Sequence, residues 1–271
     1  MNKTMSVLTA SILTTSLLLG SVLPVAAADI KNPKVADVSE WQGSIDWNKA
    51  KDDLNMVIIR AQYGTNYKDK YLDRNQEQAI KNDVPFGTYA YARYINAADA
   101  KLEAKEFYKR TSKSTKFYVV DVEELTVTSG TMREATNAFV KELRSLTDKK
   151  IGLYVGNHTY TQFNLDTSKF DFVWIPAYRT AAPDHKHDIW QYTDGGQVKG
   201  ITGGVDLNKL TNDAKPLSYY VGKTEANEQA NDYTEGGYSV GQSVKLLNKA
   251  THYHTGQKID ASVKKQKTTK Y

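Results

Sequence analysis

The sequence predicts an α/β fold in which a parallel sheet closes into a small barrel, and three observations lead to this prediction. Short apolar, β-rich runs alternate with amphipathic helical stretches between Val35 and Leu210, a pattern that indicates parallel strands joined by helices. The strand-like runs number eight, which suggests an irregular TIM-like β/α barrel. The last connections are short, so we expect shortened helices there.

The predicted elements follow one another in a regular order. The first four strand-like runs are VADVSEWQG, MVIIRAQYG, PFGTYAYARY and KFYVVDVEE. The helical stretches between them are IDWNKAKDD, YLDRNQEQAIKND and AADAKLEAKEFYKRTS. The helix TMREATNAFVKELRSLTD comes next, and its Thr131 and Glu134 predict a capping box. The last four runs are KIGLYVGN, FVWIPAY, DIWQYTD and GVDLN, and the Gly-rich stretch GGQVKGITGG before the eighth run predicts a hairpin.

Residues 1–28 have the pattern of a secretory signal peptide. A short start with one Lys precedes the apolar stretch SVLTASILTTSLLLGSVLPV, and the small residues that follow favour cleavage after Ala27 or Ala28. The alternative is an uncleaved membrane anchor. We therefore expect an exported protein whose barrel occupies residues 29–213. The chain contains no cysteine, which excludes disulfides, Cys nucleophiles and Cys-ligated zinc.

The chain after the predicted barrel changes in composition. Residues 214–237 are polar and lack an apolar period, which predicts a linker. Residues 238–271 contain short β-like runs broken by Gly, which predict a partial small β-module. The final KIDASVKKQKTTKY carries five Lys and one Asp, a balance that favours an anionic cell-wall polymer or membrane as partner over nucleic acid. A solvated basic end is the alternative.

Acidic residues follow the predicted strands at positions where they can meet. Asp121 and Glu123 share one face of the fourth strand, because residues i and i+2 point the same way, while Glu124 faces opposite. Asp37 lies in the first run and Asp206 in the eighth, and these two strands become neighbours when the barrel closes. Crowded carboxylates hold protons to unequal pH, which suits acid-assisted cleavage of a glycosidic bond. A Ca²⁺ or Mg²⁺ site is the alternative, but no EF-hand-like spacing is present, so we expect neither metal nor cofactor.

Aromatic residues are frequent near the same strand ends and predict a sugar-binding surface. Flat rings pack on sugar faces, and their OH and NH groups meet hydroxyl groups. For any single aromatic residue, filling of the core is the alternative. The candidates for substrate binding are Trp41, Tyr63, Tyr91, Tyr154, Trp174, Tyr178 and Trp190.

Five motifs in order resemble glycoside hydrolase family 25, the Chalaropsis-type lysozymes of phage endolysins and bacterial autolysins. They are DVSEWQGSIDW, VVDVEE, WIPAY, IWQYTD and GGVDLN, and the resemblance covers residues 34–210. It implies an irregular β/α barrel that hydrolyses the β-1,4 bond between N-acetylmuramic acid and N-acetylglucosamine in peptidoglycan. The C-terminal ATHYHTGQKI resembles the opening of an SH3-like wall-binding module and covers about half of one.

The resemblance also implies roles for the acids. Glu123 matches the catalytic acid, Asp121 the preceding Asp of an Asp-x-Glu pair, and Asp37 and Asp206 the acids on the first and last strands. An i, i+2 pair suits help from the N-acetyl group of the substrate, with Asp121 steadying that amide. Two alternatives remain: a non-catalytic wall-binding protein on the same barrel, and a chitinase-like N-acetylglucosaminidase. We expect a secreted, wall-associated monomer that acts on peptidoglycan.

Overall fold

The computed structural model describes residues 30–222 and, further along, the segments Ser243–Val244 and Thr269–Lys270. The chain divides into two units, and the unit Ala28–Ala226 contains the barrel. The other unit contains the two short segments, which pair as antiparallel strands. The predicted signal peptide and most of residues 223–271 lie outside the described residues. Among the residues described, no helix has the length and apolarity needed to cross a membrane.

The strands of the larger unit form a closed barrel, which confirms the predicted fold class. Neighbouring strands follow the order β1-β9-β8-β7-β6-β5-β4-β2, and pairing of β2 with β1 closes the circle. A two-residue strand, β3, pairs with β2 as a hairpin. The strands are β1 Val35–Val38, β2 Met56–Tyr63, β3 Tyr67–Lys68, β4 Phe86–Tyr91, β5 Phe117–Val122, β6 Lys150–Val155, β7 Phe172–Pro176, β8 Ile189–Gly196 and β9 Val205–Leu210.

The eighth barrel strand runs against its neighbours, and here the expectation of an all-parallel barrel is wrong. Strand β9 is antiparallel to both β8 and β1, whereas the other barrel pairs are parallel. The reason is the connection that precedes it. Only eight residues, 197–204, separate β8 from β9, which is enough for a hairpin but too short for the crossover that a parallel strand needs.

The helices cover the first part of the barrel and are reduced on the rest. Their bounds are α1 Trp47–Ala50, α2 Leu72–Lys81, α3 Ala97–Arg110, α4 Met132–Leu146 and α5 Tyr160–Phe163, with no helix between β7 and β9. The predicted capping box starts α4: the Thr131 backbone N–H donates to the Glu134 carboxylate at 2.9 Å, and the Glu134 N–H donates to the Thr131 hydroxyl at 3.1 Å. The prediction of shortened last helices is confirmed.

Residues of the barrel strands alternate between an inner and an outer core. Phe117, Val119 and Asp121 of β5 point inward, while Tyr118 and Val120 pack beneath the helices. All six residues of β5 are buried, as expected for a parallel strand covered on both faces. Inside the barrel, large rings fill the space next to glycines. A Cβ placed on Gly87 would lie 2.2 Å from the ring of Phe117, so only glycine fits there.

A short helix closes the barrel at the end where the parallel strands begin. In α6, Leu217–Val221, the ring of Tyr220 packs 5.9 Å from Phe117 and 5.1 Å from Phe172. Burying an aromatic side chain of this kind stabilises the fold by roughly 1.5–3 kcal/mol. The predicted boundary between barrel and linker at residue 213 is therefore too early, because the barrel core continues to Val221.

Candidate active site

All four predicted acids lie at the mouth of the barrel, which we define as the end where the parallel strands finish. Asp37 and Asp121 are inward residues of β1 and β5, and Glu123 directly follows β5. Asp206 lies at the start of β9 and not at its end. Because β9 is antiparallel, its start reaches the same mouth, and Asp206 is paired in register with Asp37. The predicted convergence holds although the predicted strand direction does not.

Asp37 and Asp206 are bound by side-chain amides. The Gln191 Nε2 donates to both oxygens of Asp37, at 3.1 and 3.0 Å, and to Oδ2 of Asp206 at 3.2 Å. The Asn208 Nδ2 donates to Oδ2 of Asp37 at 2.8 Å. These donors satisfy the buried carboxyl of Asp37 from two neighbouring strands. Gln191 and Asn208 thus hold this pair of acids in a fixed position.

The two donor amides are themselves fixed by aromatic residues. The hydroxyls of Tyr154 and Tyr178 both donate to Oε1 of Gln191, at 2.9 and 2.8 Å. The Trp174 indole N–H donates to Oδ1 of Asn208 at 2.8 Å. Each amide therefore has its oxygen occupied, which directs its NH₂ group toward the acids. Sequence reasoning missed Gln191 and Asn208, although both lie inside quoted motifs, in IWQYTD and GGVDLN.

The second pair, Asp121 and Glu123, is less completely satisfied. Asp121 is 4% exposed, and its Oδ1 is buried without a hydrogen-bond partner in the described structure. The Asp121 carboxyl shares a hydrogen bond with the neighbouring Glu123 carboxyl. A buried carboxyl oxygen without a hydrogen-bond donor destabilises a folded protein. Such an oxygen at the mouth is available to a donor from a ligand.

Burial raises the pKa values of all four acids above their ordinary range. Desolvation is the main cause, and the Asp206 charge raises the pKa of Asp37 further. The pKa of Asp121 is raised by burial and then by Glu123 and Asp37. Burial raises the pKa of Glu123 too, the hydrogen bond with Asp121 lowers it in part, and the charges of Glu124 and Asp206 raise it further. Carboxyls in this environment keep protons at a pH at which exposed carboxyls are ionised, as a proton donor requires.

A buried cation, Arg60, lies beside these acids and was also missed by sequence reasoning. It is an inward residue of β2 and 7% exposed. Its guanidinium donates to Asp69 at 2.8 Å and to Glu40 at 2.7 Å. The positive charge lowers the pKa of Asp121, in opposition to the effect of burial. The available signal was the single Arg inside the apolar run MVIIRAQ.

The seven predicted sugar-binding aromatics divide into three groups. Trp41, Tyr63 and Tyr178 are exposed, at 80%, 37% and 53%, and Tyr91 is half-buried beside Tyr63. Tyr154 lies deeper, at 6% exposure, where it donates to Gln191. These five lie on the elements of the mouth, and their sugar-binding role stays a prediction.

The structure does not support sugar stacking by Trp174 or Trp190. Trp174 is 1% exposed inside the barrel, where its N–H holds Asn208. Trp190 shares the outer face of the sheet with its register partners Ile175 and Lys209, and the Lys209 ammonium lies 4.8 Å from its ring centre. Both predictions followed from proximity to strand ends, without assigning each ring to a face. Neither ring presents a face to the mouth.

Within residues 30–222, no group of three or more His, Asp or Glu side chains is arranged to hold a metal ion. The acids at the mouth are instead grouped in pairs held by amide donors or by a shared hydrogen bond.

Comparison with known proteins identifies a family and several relatives that this chain resembles. The family described as Glycosyl hydrolases family 25 matches residues 36–201. The chain is 30% identical over 198 residues to the uncharacterized protein YegX of Escherichia coli (strain K12), covering 68% of this chain and 72% of YegX. It is 28% identical over 216 residues to Lysozyme M1 of Streptomyces globisporus, covering 71% of this chain and 72% of that lysozyme.

A solved structure with the same fold is the catalytic domain of endolysin ply40 from bacteriophage P40 of Listeria monocytogenes. It matches with a TM-score of 0.65 and 29% sequence identity, over 69% of this chain and 96% of that domain. The segment matched by the family contains Asp37, Asp121 and Glu123 and ends before Asp206.

Proposed function

The chain belongs to glycosyl hydrolase family 25 and is a peptidoglycan-hydrolysing muramidase, and we propose that Glu123 and Asp121 carry out the cleavage. The bond cleaved is the β-1,4 bond between N-acetylmuramic acid and N-acetylglucosamine. Glu123 is the proton donor, and Asp121 is the group that orients the N-acetyl amide of the substrate.

The observation that carries this assignment is the unpartnered, buried Oδ1 of Asp121 next to Glu123. An amide N–H of the substrate can supply the missing donor. Once Asp121 accepts that hydrogen bond, its anionic form is favoured, and the proton shared by the pair moves to Glu123. Substrate binding thereby places the proton on the residue that needs it.

The chemical steps then balance within the site. Glu123 gives its proton to the glycosidic oxygen, and the bond from that oxygen to the anomeric carbon of the N-acetylmuramic residue breaks. The acetyl oxygen of the same sugar attacks that carbon and forms a cyclic intermediate, whose positive charge faces the Asp121 carboxylate. Water next adds to the anomeric carbon, the bond from that carbon to the acetyl oxygen breaks and restores the N-acetyl group, and the water gives a proton to Glu123. Two displacements at one carbon retain its configuration.

Asp37 and Asp206 support this reaction without exchanging atoms with the substrate. Their amide-bound carboxyls add negative charge near the Asp121–Glu123 pair, which helps Glu123 to keep its proton and stabilises positive charge in the transition state. Gln191 and Asn208 are positioning residues in this scheme.

The rival functions differ in their products. A non-catalytic wall-binding protein has no use for a buried, unsatisfied carboxyl beside a second acid. A chitinase-like N-acetylglucosaminidase has a use for the same pair, so only the position of the new reducing end separates it from a muramidase.

The test is digestion of purified Gram-positive peptidoglycan by the wild-type protein and by Glu123→Gln, with mass spectrometry of the products. We expect new reducing ends on muramic acid from the wild type and none from the variant, because Gln keeps the shape of Glu and lacks its proton. Reducing ends on N-acetylglucosamine would support the rival hydrolase. Equal cleavage by both proteins would show that another residue is the acid.

Export and wall association extend the proposal beyond the barrel. Residues 1–28 would direct secretion, and the basic C-terminal tail would add affinity for anionic wall polymers, with the protein acting as a monomer. Deletion of residues 223–271, with binding to purified walls measured at several salt concentrations, tests the tail. Weaker binding with a smaller salt dependence supports it, and unchanged binding contradicts it.

A further inference from the structure

A cluster beside the acids takes no part in the mechanism above. It consists of Tyr63, Tyr91, Arg93 and Glu124, which lie where β2, β4 and β5 end. Tyr91 is paired in register with both Tyr63 and Asp121, and Glu124 directly follows the proton donor in sequence. We call these four residues the arginine wall of the mouth.

The backbone at Arg93 is held in place by a side chain of the helix layer. The Arg93 N–H donates to both carboxyl oxygens of Glu103, at 3.2 Å each. Glu103 belongs to α3 and is 1% exposed. Backbone position 93 is thereby tied to a buried side chain of the helix layer, so the guanidinium starts from a fixed place at the rim.

The Arg93 side chain, in contrast, is held by exchangeable contacts. Its guanidinium lies 5.1 Å from the ring centre of Tyr63, whose ring stacks on Tyr91 at 4.7 Å. It pairs with the Glu124 carboxylate, which also accepts a 2.8 Å hydrogen bond from the Tyr91 hydroxyl. The side chains of Arg93 and Glu124 are 35% and 48% exposed. An ion pair this exposed to solvent contributes little to stability, so a carboxylate from a ligand can replace Glu124.

The charge around the mouth indicates what Arg93 is suited to bind. Asp37, Asp121, Glu123 and Asp206 give the mouth an excess of carboxyl groups, and those that are ionised repel an anionic substrate. The buried Arg60 is already bound by Glu40 and Asp69. Arg93 presents a planar, partly exposed guanidinium that can bind a carboxylate through two N–H groups.

We propose that Arg93 is a specificity-determining residue that binds a carboxylate carried by the lactyl side of the muramic acid residue, in exchange for Glu124. This inference rests on the muramidase function proposed above. Two sources supply such a carboxylate: the peptide stem attached to the lactyl group, and the lactyl group itself where the stem has been removed. Both place an anion on the sugar whose glycosidic bond is cleaved.

The exchange also links substrate binding to the catalytic acid. With Arg93 engaged by the substrate, Glu124 loses its cationic partner and stays beside Glu123. An uncompensated negative charge there favours the protonated form of Glu123, since like charges raise the pKa of a carboxyl. A substrate that carries the carboxylate therefore helps to keep Glu123 protonated.

The test compares kcat/KM on three soluble glycan preparations of equal chain length: strands with stems bearing free carboxylates, strands with chemically amidated stems, and strands stripped of stems by an amidase. The readout is the selectivity, the ratio of kcat/KM on a carboxylate-bearing preparation to that on the amidated one. We expect the wild type to prefer at least one carboxylate-bearing preparation by about fivefold, and the preferred one identifies the source.

Variants separate Arg93 from general effects. Arg93→Gln should bring the selectivity close to one while cleavage of amidated strands continues, and Arg93→Lys should keep part of it. Glu124→Gln frees the guanidinium and should raise the selectivity. The matched control is Arg179→Gln, which removes another arginine paired with an acid, Asp184, at 44% exposure. It should leave the selectivity unchanged.

Three results would overturn the inference: a wild type without selectivity, a selectivity unaffected by Arg93→Gln, or an equal loss in Arg179→Gln. Because selectivity is a ratio of two kcat/KM values, a less stable variant loses activity on all preparations but keeps its selectivity. Failure of the muramidase function would appear differently, as wild-type protein that cleaves none of the three preparations at muramic acid.

Discussion

The two pairs of carboxyls at the mouth differ in how the protein treats their oxygens. Asp37 accepts hydrogen bonds from Gln191 and Asn208 on both oxygens, and Asp206 shares the Gln191 donor. The two acids of each pair share a hydrogen bond, but Asp121, in contrast to Asp37, keeps one buried oxygen without a donor. Each pair has one buried acid, Asp37 or Asp121, and one half-buried acid, Asp206 or Glu123, and all four have raised pKa values.

In the mechanism that we propose, this difference gives the two pairs different tasks. A carboxyl whose oxygens are already occupied contributes charge and shape, because a ligand gains little by displacing good donors. A carboxyl with an empty acceptor position is prepared for a donor that arrives with the substrate. The pKa values of all four acids are raised, but their proposed roles differ. We call Asp37–Asp206 the supporting pair and Asp121–Glu123 the reacting pair.

The largest expected effect outside the proton donor is that of Asp121→Asn. Asn removes the negative charge that faces the cyclic intermediate, so kcat should fall by roughly 10²-fold or more while KM changes little. A raised folded pKa means that the ionised carboxyl opposes folding above that pKa. The variant should therefore unfold at the same or a higher temperature at pH 7. Retention of most of the activity would place Asp121 in the supporting pair.

The second prediction concerns the donor that unites the supporting pair. Gln191→Leu leaves the Asp37 and Asp206 carboxyls and two tyrosine hydroxyls without their shared partner. We expect kcat/KM to fall about tenfold and the free energy of unfolding by about 2 kcal/mol, measured by urea denaturation. The control Gln197→Leu alters a glutamine of the β8–β9 hairpin that bonds only a loop carbonyl at 3.5 Å, and should leave both quantities near wild type.

A third prediction is a shift in pH dependence. The Asp206 charge raises the pKa of Glu123, so Asp206→Asn should let Glu123 lose its proton at lower pH. Activity needs protonated Glu123, and the alkaline limb of the kcat/KM profile should move to lower pH. The Glu124 charge, which also raises the pKa of Glu123, and the Asp121 hydrogen bond, which lowers it, are unchanged in this variant. A limb that stays in place, or moves to higher pH, would contradict the supporting role of Asp206.

The smallest expected effect is that of Tyr178→Phe. It removes one of the two hydroxyls that orient Gln191 and leaves Tyr154 in place, so we expect only a two- to fivefold loss in kcat/KM, from a hydrogen bond of about 1 kcal/mol. Tyr192→Phe, on the outer face next to Trp190, is the control and should have no effect. A loss as large as that of Gln191→Leu would mean that Tyr178 contacts the substrate directly.

The sequence was informative about the reacting pair because its signal is local. Asp121 and Glu123 follow a buried strand at spacing i, i+2, and both the strand and the shared face could be predicted from KFYVVDVEE. The same local signals predicted the capping box at Thr131 and the hairpin between the last strands.

The supporting pair depends on long-range contacts that no local pattern reports. The direction of β9 is set by its eight-residue connection and by barrel closure, and it brings Asn208 against Asp37 over a separation of 171 residues. Trp190 and Gln191 are adjacent in a strand buried on both faces, so hydrophobic alternation did not reveal that Gln191 points to the acids and Trp190 points away. The same lack of contrast hid the inward position of Trp174.

The most direct test of the account is the configuration of the first product, observed by NMR during hydrolysis of a soluble peptidoglycan oligosaccharide. Participation of the substrate amide, oriented by Asp121, predicts that the new reducing end on muramic acid appears first as the β-anomer and then mutarotates. Initial appearance of the α-anomer would mean a single displacement by water. That result would contradict the assignment of Asp121 and Glu123 as the reacting pair in an amide-assisted mechanism.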